Sequence, residues 1–186
     1  MNPETQLPAG WGKFWTAANL LSLTRALLSI LFLYVMLSTV PPARLWGCII
    51  VAAGALTDKL DGMVARKSGT VTEWGKILDP LADKIGVASI AVVLLLLGDA
   101  PLWFVLVLLG RDVLILAGGL FLSWKRGVIL PSNEAGKWAV GVISLTLFLM
   151  LAGVSSIVTL ALMWVCVAML GFSLFLYARR FMETVR

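Results

Sequence analysis

Histidine is absent from this chain of 186 residues, and charged residues are scarce. Without an imidazole, the chain has neither a Ser-His-Asp arrangement nor a histidine metal ligand. Charged residues make up 13% of the sequence and hydrophobic residues 60%, whereas soluble domains carry about 25% charged residues. Mean hydropathy is +0.98. A chain this apolar cannot shield its surface from water by folding on itself, so we predict an integral membrane protein.

Cysteine is also rare, with Cys48 and Cys166 each inside an apolar run. Two isolated cysteines do not indicate a disulfide framework or a thiolate metal site, and we interpret both as buried small hydrophobic residues. The aromatic–basic pattern that binds single-stranded nucleic acid is missing, so we expect no nucleic-acid partner. The net charge of +5 therefore bears on orientation in a membrane.

Apolar segments of about 20 residues, the length that spans a bilayer, recur along the chain. We predict an all-α fold, with six transmembrane helices in a single membrane domain whose bundle covers residues 20–178. The predicted helices are residues 20–40, 45–64, 79–98, 102–124, 136–151 and 156–177. Pro41 and Pro42 stop the first helix, and the short connections at 99–101 and 152–153 indicate tight turns.

The two ends of the chain differ from the bundle. Residues 1–19 carry Trp11, Phe14 and Trp15 beside Lys13. This composition predicts a short interfacial helix on the membrane surface, and a loosely ordered leader with tryptophan near the headgroups is the alternative. The segment lacks the pattern of a signal peptide, so we expect the first apolar helix to be retained. Residues 179–186 are predicted to form a cytoplasmic tail.

Basic residues concentrate on alternate connections between the predicted helices. On one side the ends and loops carry Lys13, Arg66, Lys67, Lys76, Lys125, Arg126, Arg179, Arg180 and Arg186. The connections on the other side carry only Arg44. Because cytoplasmic loops are enriched in lysine and arginine, this asymmetry predicts that both termini face the cytoplasm.

Half of the ten acidic residues of the chain lie within residues 58–83. Asp58 and Asp61 are three residues apart, and Asp79 and Asp83 are four apart, so each pair shares one face of a helix. Glycines in the stretch between the pairs allow a turn that brings the two faces together. We therefore predict four converging carboxylates near the cytoplasmic end of a helical hairpin.

Four carboxylates in a partly desolvated place repel one another and need a counter-charge. Ligands that are all oxygen favour the hard cations Mg²⁺, Mn²⁺ or Ca²⁺. Four carboxylates suffice for two ions about 4 Å apart, the arrangement that clamps a phosphoryl group. The alternative is a solvated ion-pair network with Lys59, Arg66, Lys76 and Lys84. Acidic residues at membrane helices favour the functional interpretation.

The same stretch follows the pattern D-x2-D-G-x2-A-R-x8-G-x3-D-x3-D, which resembles the signature of the CDP-alcohol phosphotransferase (phosphatidyltransferase class I) family. The chain matches every fixed position, at Asp58, Asp61, Gly62, Ala65, Arg66, Gly75, Asp79 and Asp83. The length and the six predicted helices also resemble the family, so the resemblance covers nearly the whole chain.

The resemblance implies an enzyme that passes the phosphatidyl group of CDP-diacylglycerol to an alcohol and releases CMP. It implies two ions, Mg²⁺ or Mn²⁺, with Asp58, Asp61, Asp79 and Asp83 as ligands and Asp83 also as the catalytic base. It places nucleotide binding at Thr57, Asp61, Gly62, Ala65, Arg66, Gly75 and Asp79. It also implies a homodimer in the inner membrane of a bacterium, with the active site facing the cytoplasm.

Physical reasoning supports two of these roles. Gly62 and Ala65 leave the helix face open, so that a nucleotide can approach the backbone, although close helix packing is an alternative. The guanidinium of Arg66 has the fork geometry that binds phosphate.

Three further basic residues, Arg25, Arg111 and Lys137, are candidates for acceptor binding. The alternative for each is a charged side chain that extends to the membrane interface. Arg111 lies beside Asp112 inside the fourth apolar run, where a bare charge is costly, and with Lys137 it suits an acceptor that carries its own phosphate.

Short segments bear on which acceptor is used. Residues 19–25 and 75–84 resemble phosphatidylglycerophosphate synthases, whose acceptor is glycerol 3-phosphate. Residues 110–118 are nearer to the cardiolipin synthase branch, whose acceptor is phosphatidylglycerol. We predict glycerol 3-phosphate, with phosphatidylglycerol as the alternative.

Two other classes of protein compete with an enzyme. A cation transporter would use the aspartates as an ion site, but such proteins often show internal repeats, and the acidic motif has no second copy. A non-catalytic membrane scaffold would have no need of a complete motif, and no motif residue is missing.

Overall fold

The computed structural model describes the backbone of residues 16–38, 41–68, 73–126 and 134–185. The side chains of residues 17–18, 59–68, 73–77, 80, 120–126, 134–135, 137 and 184–185 lie outside that description. The described part is all-α, with helices Ala17–Leu37 (α1), Ala43–Ser68 (α2), Glu73–Leu96 (α3), Leu102–Arg126 (α4), Glu134–Leu151 (α5) and Ser156–Val185 (α6). The predicted six-helix fold class is confirmed. The predicted interfacial helix falls mainly on residues outside the described ranges.

The first helix is delimited by its own capping groups. Thr16 is the N-cap, and its hydroxyl accepts a hydrogen bond from the backbone N–H of Asn19 at 3.2 Å, which satisfies a donor that the helix leaves open. At the other end the N–H of Ser38 bonds to the carbonyl of Tyr34 at 3.0 Å. The helix ends at Leu37, before the two prolines that were predicted to stop it.

The hairpin of α2 and α3 differs from the prediction in its connection. The helix α2 continues to Ser68 and α3 begins at Glu73, so Arg66, Gly75 and Lys76 lie on helices and not in a loop. Hydropathy marks only the part of a helix that crosses hydrocarbon. A helix end rich in alanine, arginine and lysine, as at residues 65–67, continues beyond that part because these residue types favour helix.

The two predicted tight turns are present, and both use a glycine with a left-handed backbone. After α3, Gly98 has φ of 76°, and the N–H of Asp99 bonds to the carbonyl of Leu94 at 2.9 Å. After α5, Gly153 has φ of 75°, and the N–H of Val154 bonds to the carbonyl of Leu149 at 3.0 Å. These are Schellman ends, in which glycine adopts positive φ without a Cβ penalty.

The exposed surface of the helices is apolar. Large side chains such as Leu27, Tyr34, Ile157 and Phe175 are more than 60% exposed. Within the described ranges, three stretches are long and apolar enough to cross a membrane: Asn19–Leu37, Leu102–Gly119 and Ser156–Glu183, with a shorter apolar helix at Trp138–Leu151. Lipid is the solvent that such a surface requires, so the protein is an integral membrane protein.

The chain divides into two compact units, Met1–Val93 and Leu94–Arg186. In the first unit, α1 packs against α2. At Gly47 the two helices lie close together, since a Cβ there would lie 2.6 Å from Sδ of Met36 and 3.2 Å from Cε2 of Phe32. The absence of a side chain at Gly47 therefore allows the two helices to approach closely.

In the second unit, α6 packs against both α4 and α5. The hydroxyl of Tyr177 on α6 donates to the carbonyl of Ile115 on α4 at 3.1 Å. The thiol of Cys166 is fully buried, 3.2 Å from the hydroxyl of Thr146 on α5. Cys48 in the first unit is half-buried, and both cysteines are free thiols.

Candidate functional site

One face of α1 is polar and buried along its first half. Asn19, Ser22, Arg25 and Ser29 are each 7% exposed or less, and their spacing of three or four residues places them on one stripe of the helix. The opposite face carries exposed apolar residues such as Leu20, Leu27 and Ile30. The helix thus presents polar groups to the protein and apolar groups to its surroundings, the reverse of a helix in a soluble protein.

Arg25 connects two of the predicted site carboxylates. Its Nη2 lies 3.0 Å from Oδ1 of Asp58 on α2, and its Nη1 donates to Oδ1 of Asp83 on α3. The arginine side chain is only 8% exposed, whereas those of Asp58 and Asp83 are 58% and 51% exposed. One buried guanidinium therefore joins two half-exposed carboxylates on different helices.

A third site carboxylate is bound one turn away on the same stripe. The hydroxyl of Ser22 donates to Oδ1 of Asp79 on α3. Further along, the hydroxyl of Ser29 lies 3.5 Å from the place where a Cβ on Gly86 would lie. Three successive turns of α1 thus face three successive turns of α3, which fixes the register of the two helices around the carboxylates.

The remaining motif residues are described by their backbone alone. Asp61, Gly62, Ala65 and Arg66 lie on α2, and Gly75 lies in the first turn of α3. The side chains of Asp61, Ala65 and Arg66 lie outside the described part. Thr57 is described, and its hydroxyl donates to the carbonyl of Gly54 at 2.7 Å, one turn earlier on its own helix.

The observed partner of the carboxylates bears on the alternative of a solvated ion-pair network. That alternative named lysines and Arg66 as the partners, whereas Asp58 and Asp83 contact a buried arginine on a third helix. Burying that arginine is costly unless its charge is balanced. The contact pairs one buried guanidinium with two half-exposed carboxylates, and it differs from an ion pair whose partners are both exposed, which contributes little.

The donor set fits a hard divalent cation. Asp58, Asp79 and Asp83 all contact the same stripe of α1, and they supply carboxylate oxygens, the ligands that Mg²⁺ and Mn²⁺ prefer. Among side chains that the structure describes, no group of three acidic residues is close enough to be assigned as a metal site. Asp61, which the motif adds to the set, lies outside that group of side chains.

The second unit contains its own buried arginine. Nη1 of Arg111 on α4 lies 2.8 Å from Oδ1 of the adjacent Asp112, and its Nη2 donates to the hydroxyl of Ser173 on α6 at 2.7 Å. Ser173 is fully buried, and the buried Nε of Arg111 has no hydrogen-bond partner among the groups that the structure describes. This guanidinium bonds within the protein instead of extending to the membrane surface. Lys137 lies on α5, with its side chain outside the described part.

Sequence reasoning did not single out Asn19, Ser22, Ser29 or Ser173. The first three had a detectable signal, because polar residues at helical spacing within an apolar segment indicate a face that is turned away from lipid. Arg25 was predicted to bind the acceptor, whereas both of its terminal nitrogens contact carboxylates. A lone serine such as Ser173 carries no such signal, since its bond to Arg111 depends on the packing of α4 and α6.

The fold and the site define a class of protein, namely an all-helical integral membrane protein with carboxylates gathered around one of its helices. The family model for CDP-alcohol phosphatidyltransferase matches residues 15–172. The chain belongs to that family, as the motif predicted.

Curated relatives agree with the family. A protein of Mycobacterium tuberculosis, provisionally named a cardiolipin synthase, is 41% identical over 125 residues, which are 67% of this chain and 58% of the relative. The chain thus spans less than two thirds of that relative's length.

Two other relatives share the name CDP-diacylglycerol–glycerol-3-phosphate 3-phosphatidyltransferase. The protein of Aquifex aeolicus is 41% identical over 132 residues, 69% of this chain and 71% of the relative. The protein of Bacillus subtilis is 34% identical over 136 residues, 65% of this chain and 70% of the relative.

Proposed function

We propose that the protein transfers the phosphatidyl group of CDP-diacylglycerol to glycerol 3-phosphate, giving phosphatidylglycerophosphate and CMP. The observation that carries the proposal is the gathering of Asp58, Asp79 and Asp83 on the buried stripe of α1. Three of the four acidic positions of the family motif therefore lie around one helix. The names of the Aquifex aeolicus and Bacillus subtilis relatives support the choice of donor and acceptor.

In this proposal, Asp58, Asp61, Asp79 and Asp83 bind two divalent cations, Mg²⁺ or Mn²⁺. When bound, the ions supply Lewis-acid stabilisation of the negative charge on the donor pyrophosphate. The chemistry of the carboxylate oxygens supports this assignment.

The chain's own contribution to the reaction is positioning and proton transfer. Asp83 accepts the proton of the acceptor hydroxyl, and that oxygen forms a bond to the phosphorus of the phosphatidyl group. The phosphoanhydride bond breaks, and the phosphate oxygen of CMP takes the electron pair. Asp83 is suited to this role because its side chain is half exposed, so that an acceptor hydroxyl can reach it.

The nucleotide is proposed to bind along the motif of α2 and the start of α3. The positions are Thr57, Asp61, Gly62, Ala65, Arg66, Gly75 and Asp79. Gly62 and Ala65 are three residues apart on one helix, so a flat ring can approach that face closely. The guanidinium of Arg66 is proposed to bind phosphate oxygens through two parallel hydrogen bonds.

Arg111 and Lys137 are proposed to bind the phosphate of the acceptor. Within the described part of the chain, the buried Nε of Arg111 has no hydrogen-bond partner, and a buried donor of this kind gains by meeting an anion. Arg25, the third predicted acceptor residue, contacts carboxylates through both terminal nitrogens, and this placement favours a different role for it.

The setting of the reaction is part of the proposal. The distribution of basic residues supports an active site and both termini on the cytoplasmic side. An inner bacterial membrane and a homodimer complete the proposed setting.

The test is CMP release by the purified protein in detergent with CDP-diacylglycerol and Mg²⁺ or Mn²⁺. Glycerol 3-phosphate and phosphatidylglycerol are offered in separate reactions. We expect CMP release and phosphatidylglycerophosphate formation with glycerol 3-phosphate. Release with neither acceptor, in protein that is folded and supplied with metal, would reject the proposed reaction.

A second candidate acceptor is phosphatidylglycerol, which would make the protein a cardiolipin synthase. The name of the Mycobacterium tuberculosis relative favours it. CMP release with phosphatidylglycerol alone would establish this alternative. Transport of cations without consumption of CDP-diacylglycerol would instead support a transporter.

A further inference from the structure

We propose that Arg25, together with Ser22 one turn earlier, is a positioning residue that holds the carboxylates of α2 and α3 in place before metal and substrate bind. The inference rests on the proposed function in one respect, that these carboxylates are metal ligands. It assigns to α1 a role that lies outside the acidic motif.

The contacts of Arg25 are divided between two helices. Nη2 is 3.0 Å from Asp58 on α2, and Nη1 donates to Asp83 on α3. A guanidinium is planar and its donors have a fixed separation. The distance between Asp58 and Asp83 is therefore set by the geometry of one rigid group.

The position of Arg25 is itself constrained. Arg25 is 7% exposed and lies within the apolar stretch Asn19–Leu37. Its charge therefore has to be balanced from within the protein. Ser22 donates to Asp79, and Ser29 packs at Gly86. These contacts on the turns before and after Arg25 prevent α1 from sliding along α3.

The charges of Arg25 and its partners indicate that the carboxylates are held in place and can still bind a cation. Among the described contacts, one guanidinium faces the two charges of Asp58 and Asp83, and Asp79 adds a carboxylate that contacts the neutral hydroxyl of Ser22. These described contacts by themselves leave negative charge that a divalent cation can balance. Without Arg25, like charges on α2 and α3 would repel and separate before a cation arrived.

This role differs from acceptor binding in what a substitution changes. A positioning residue acts through the metal ligands, and partners of metal ligands typically change metal affinity or activity by about 10- to 100-fold when they are replaced. An acceptor-binding residue would change the KM for glycerol 3-phosphate and leave metal affinity unaltered.

The informative variant is Arg25→Lys, because lysine keeps the positive charge but has a single nitrogen, which cannot span both carboxylates in the same geometry. The matched control is Arg179→Lys, at an exposed arginine whose described partner is Glu183, four residues away on α6. Ser22→Ala is the second variant and removes only one hydroxyl.

The measurement is Mn²⁺ binding to metal-stripped protein in detergent, followed by the electron paramagnetic resonance signal of free Mn²⁺. We expect Arg25→Lys to weaken Mn²⁺ binding by about 10-fold or more and Ser22→Ala to weaken it severalfold. Arg179→Lys should bind as the unsubstituted protein does. The KM for glycerol 3-phosphate, measured at saturating Mn²⁺, should not change in Arg25→Lys.

The outcomes separate this inference from the proposed function. Unaltered Mn²⁺ affinity in Arg25→Lys, or a raised acceptor KM with unaltered Mn²⁺ affinity, would overturn the positioning role and leave the reaction in place. Failure of the unsubstituted protein to bind Mn²⁺ would overturn both. If Arg25→Lys does not fold, Ser22→Ala decides, and unaltered affinity there overturns the inference.

Discussion

Replacing Arg25 by methionine tests how much the α1 contacts stabilise the metal-free protein. The substitution keeps an unbranched side chain and removes the guanidinium from between Asp58 and Asp83. It leaves two carboxylates near each other without the arginine that joined them. We expect the metal-free protein to lose stability.

The size of the loss follows from the exposure of the partners. A hydrogen bond to a charged group contributes about 1.5–3 kcal/mol. Asp58 and Asp83 are 58% and 51% exposed, so water screens each pair and roughly half of that contribution remains. The two contacts together then stabilise the protein by about 1.5–3 kcal/mol.

Thermal unfolding of the metal-stripped protein in detergent measures the effect. For chains of this length, a loss of 1 kcal/mol lowers Tm by about 2–4 °C, so the expected decrease is about 3–12 °C. The control is Arg179→Met, which removes the same charge from an exposed pair 3.0 Å from Glu183. An exposed pair four residues apart on a helix contributes about 0.3–0.5 kcal/mol, which corresponds to a decrease of about 1–2 °C.

Equal Tm values for Arg25→Met and Arg179→Met would refute the reasoning. They would mean that the contacts of Arg25 are no stronger than an exposed ion pair. The helix register inferred from Ser22 and Ser29 would then have to be maintained by apolar packing alone.

Three further predictions concern other residues. Asp83→Asn should lower kcat for CMP release by about 100- to 10,000-fold because the proposed base is lost. The control Asp99→Asn, in the connection after α3, should leave kcat unchanged. Near-normal turnover in Asp83→Asn would reject the base assignment. Ser173→Ala should raise the KM for glycerol 3-phosphate about 5-fold at constant kcat, since Arg111 loses a charged hydrogen bond, and an unchanged KM in initial-rate measurements would separate Arg111 from acceptor binding. Gly47→Val should lower stability by about 1–3 kcal/mol through overpacking against Met36; Gly54→Val, where a Cβ meets nothing within 4 Å, is the control, and equal Tm values would contradict the close helix approach.

Much of the fold followed from patterns along the chain. Apolar length predicted the six helices of the described part, and the short connections at residues 99–101 and 152–153 predicted the two tight turns. The boundaries of α2 and α3 were wrong by four and six residues, at Ser68 and Glu73, and α6 continues eight residues beyond its predicted end at residue 177, to Val185 and into the predicted tail. Hydropathy detects the apolar part of a helix and does not detect its polar continuation.

The acidic residues of the candidate site were predicted from the sequence. The spacing predicted two pairs, Asp58 with Asp61 and Asp79 with Asp83, because helical periodicity places residues three or four apart on one face. In the structure Asp58, Asp79 and Asp83 contact α1, and the side chain of Asp61 lies outside the described part. The same helical spacing is present at Asn19, Ser22 and Ser29. These residues are uncharged, so their spacing did not mark them as functional candidates. Arg25 was identified as a functional candidate, and its contacts depend on which helix lies beside α1.

The sequence by itself was enough to predict that the protein lies in a membrane, how many helices its described part contains and which family it belongs to. Each of these depends on composition or on spacing within 30 residues or fewer, which local physical rules decode. Only the tertiary structure decided that Arg25 contacts Asp58 and Asp83 and that Ser173 contacts Arg111. These partners are 33 to 62 residues apart along the chain, and no local rule relates them, because such contacts form only when helices pack in a particular register.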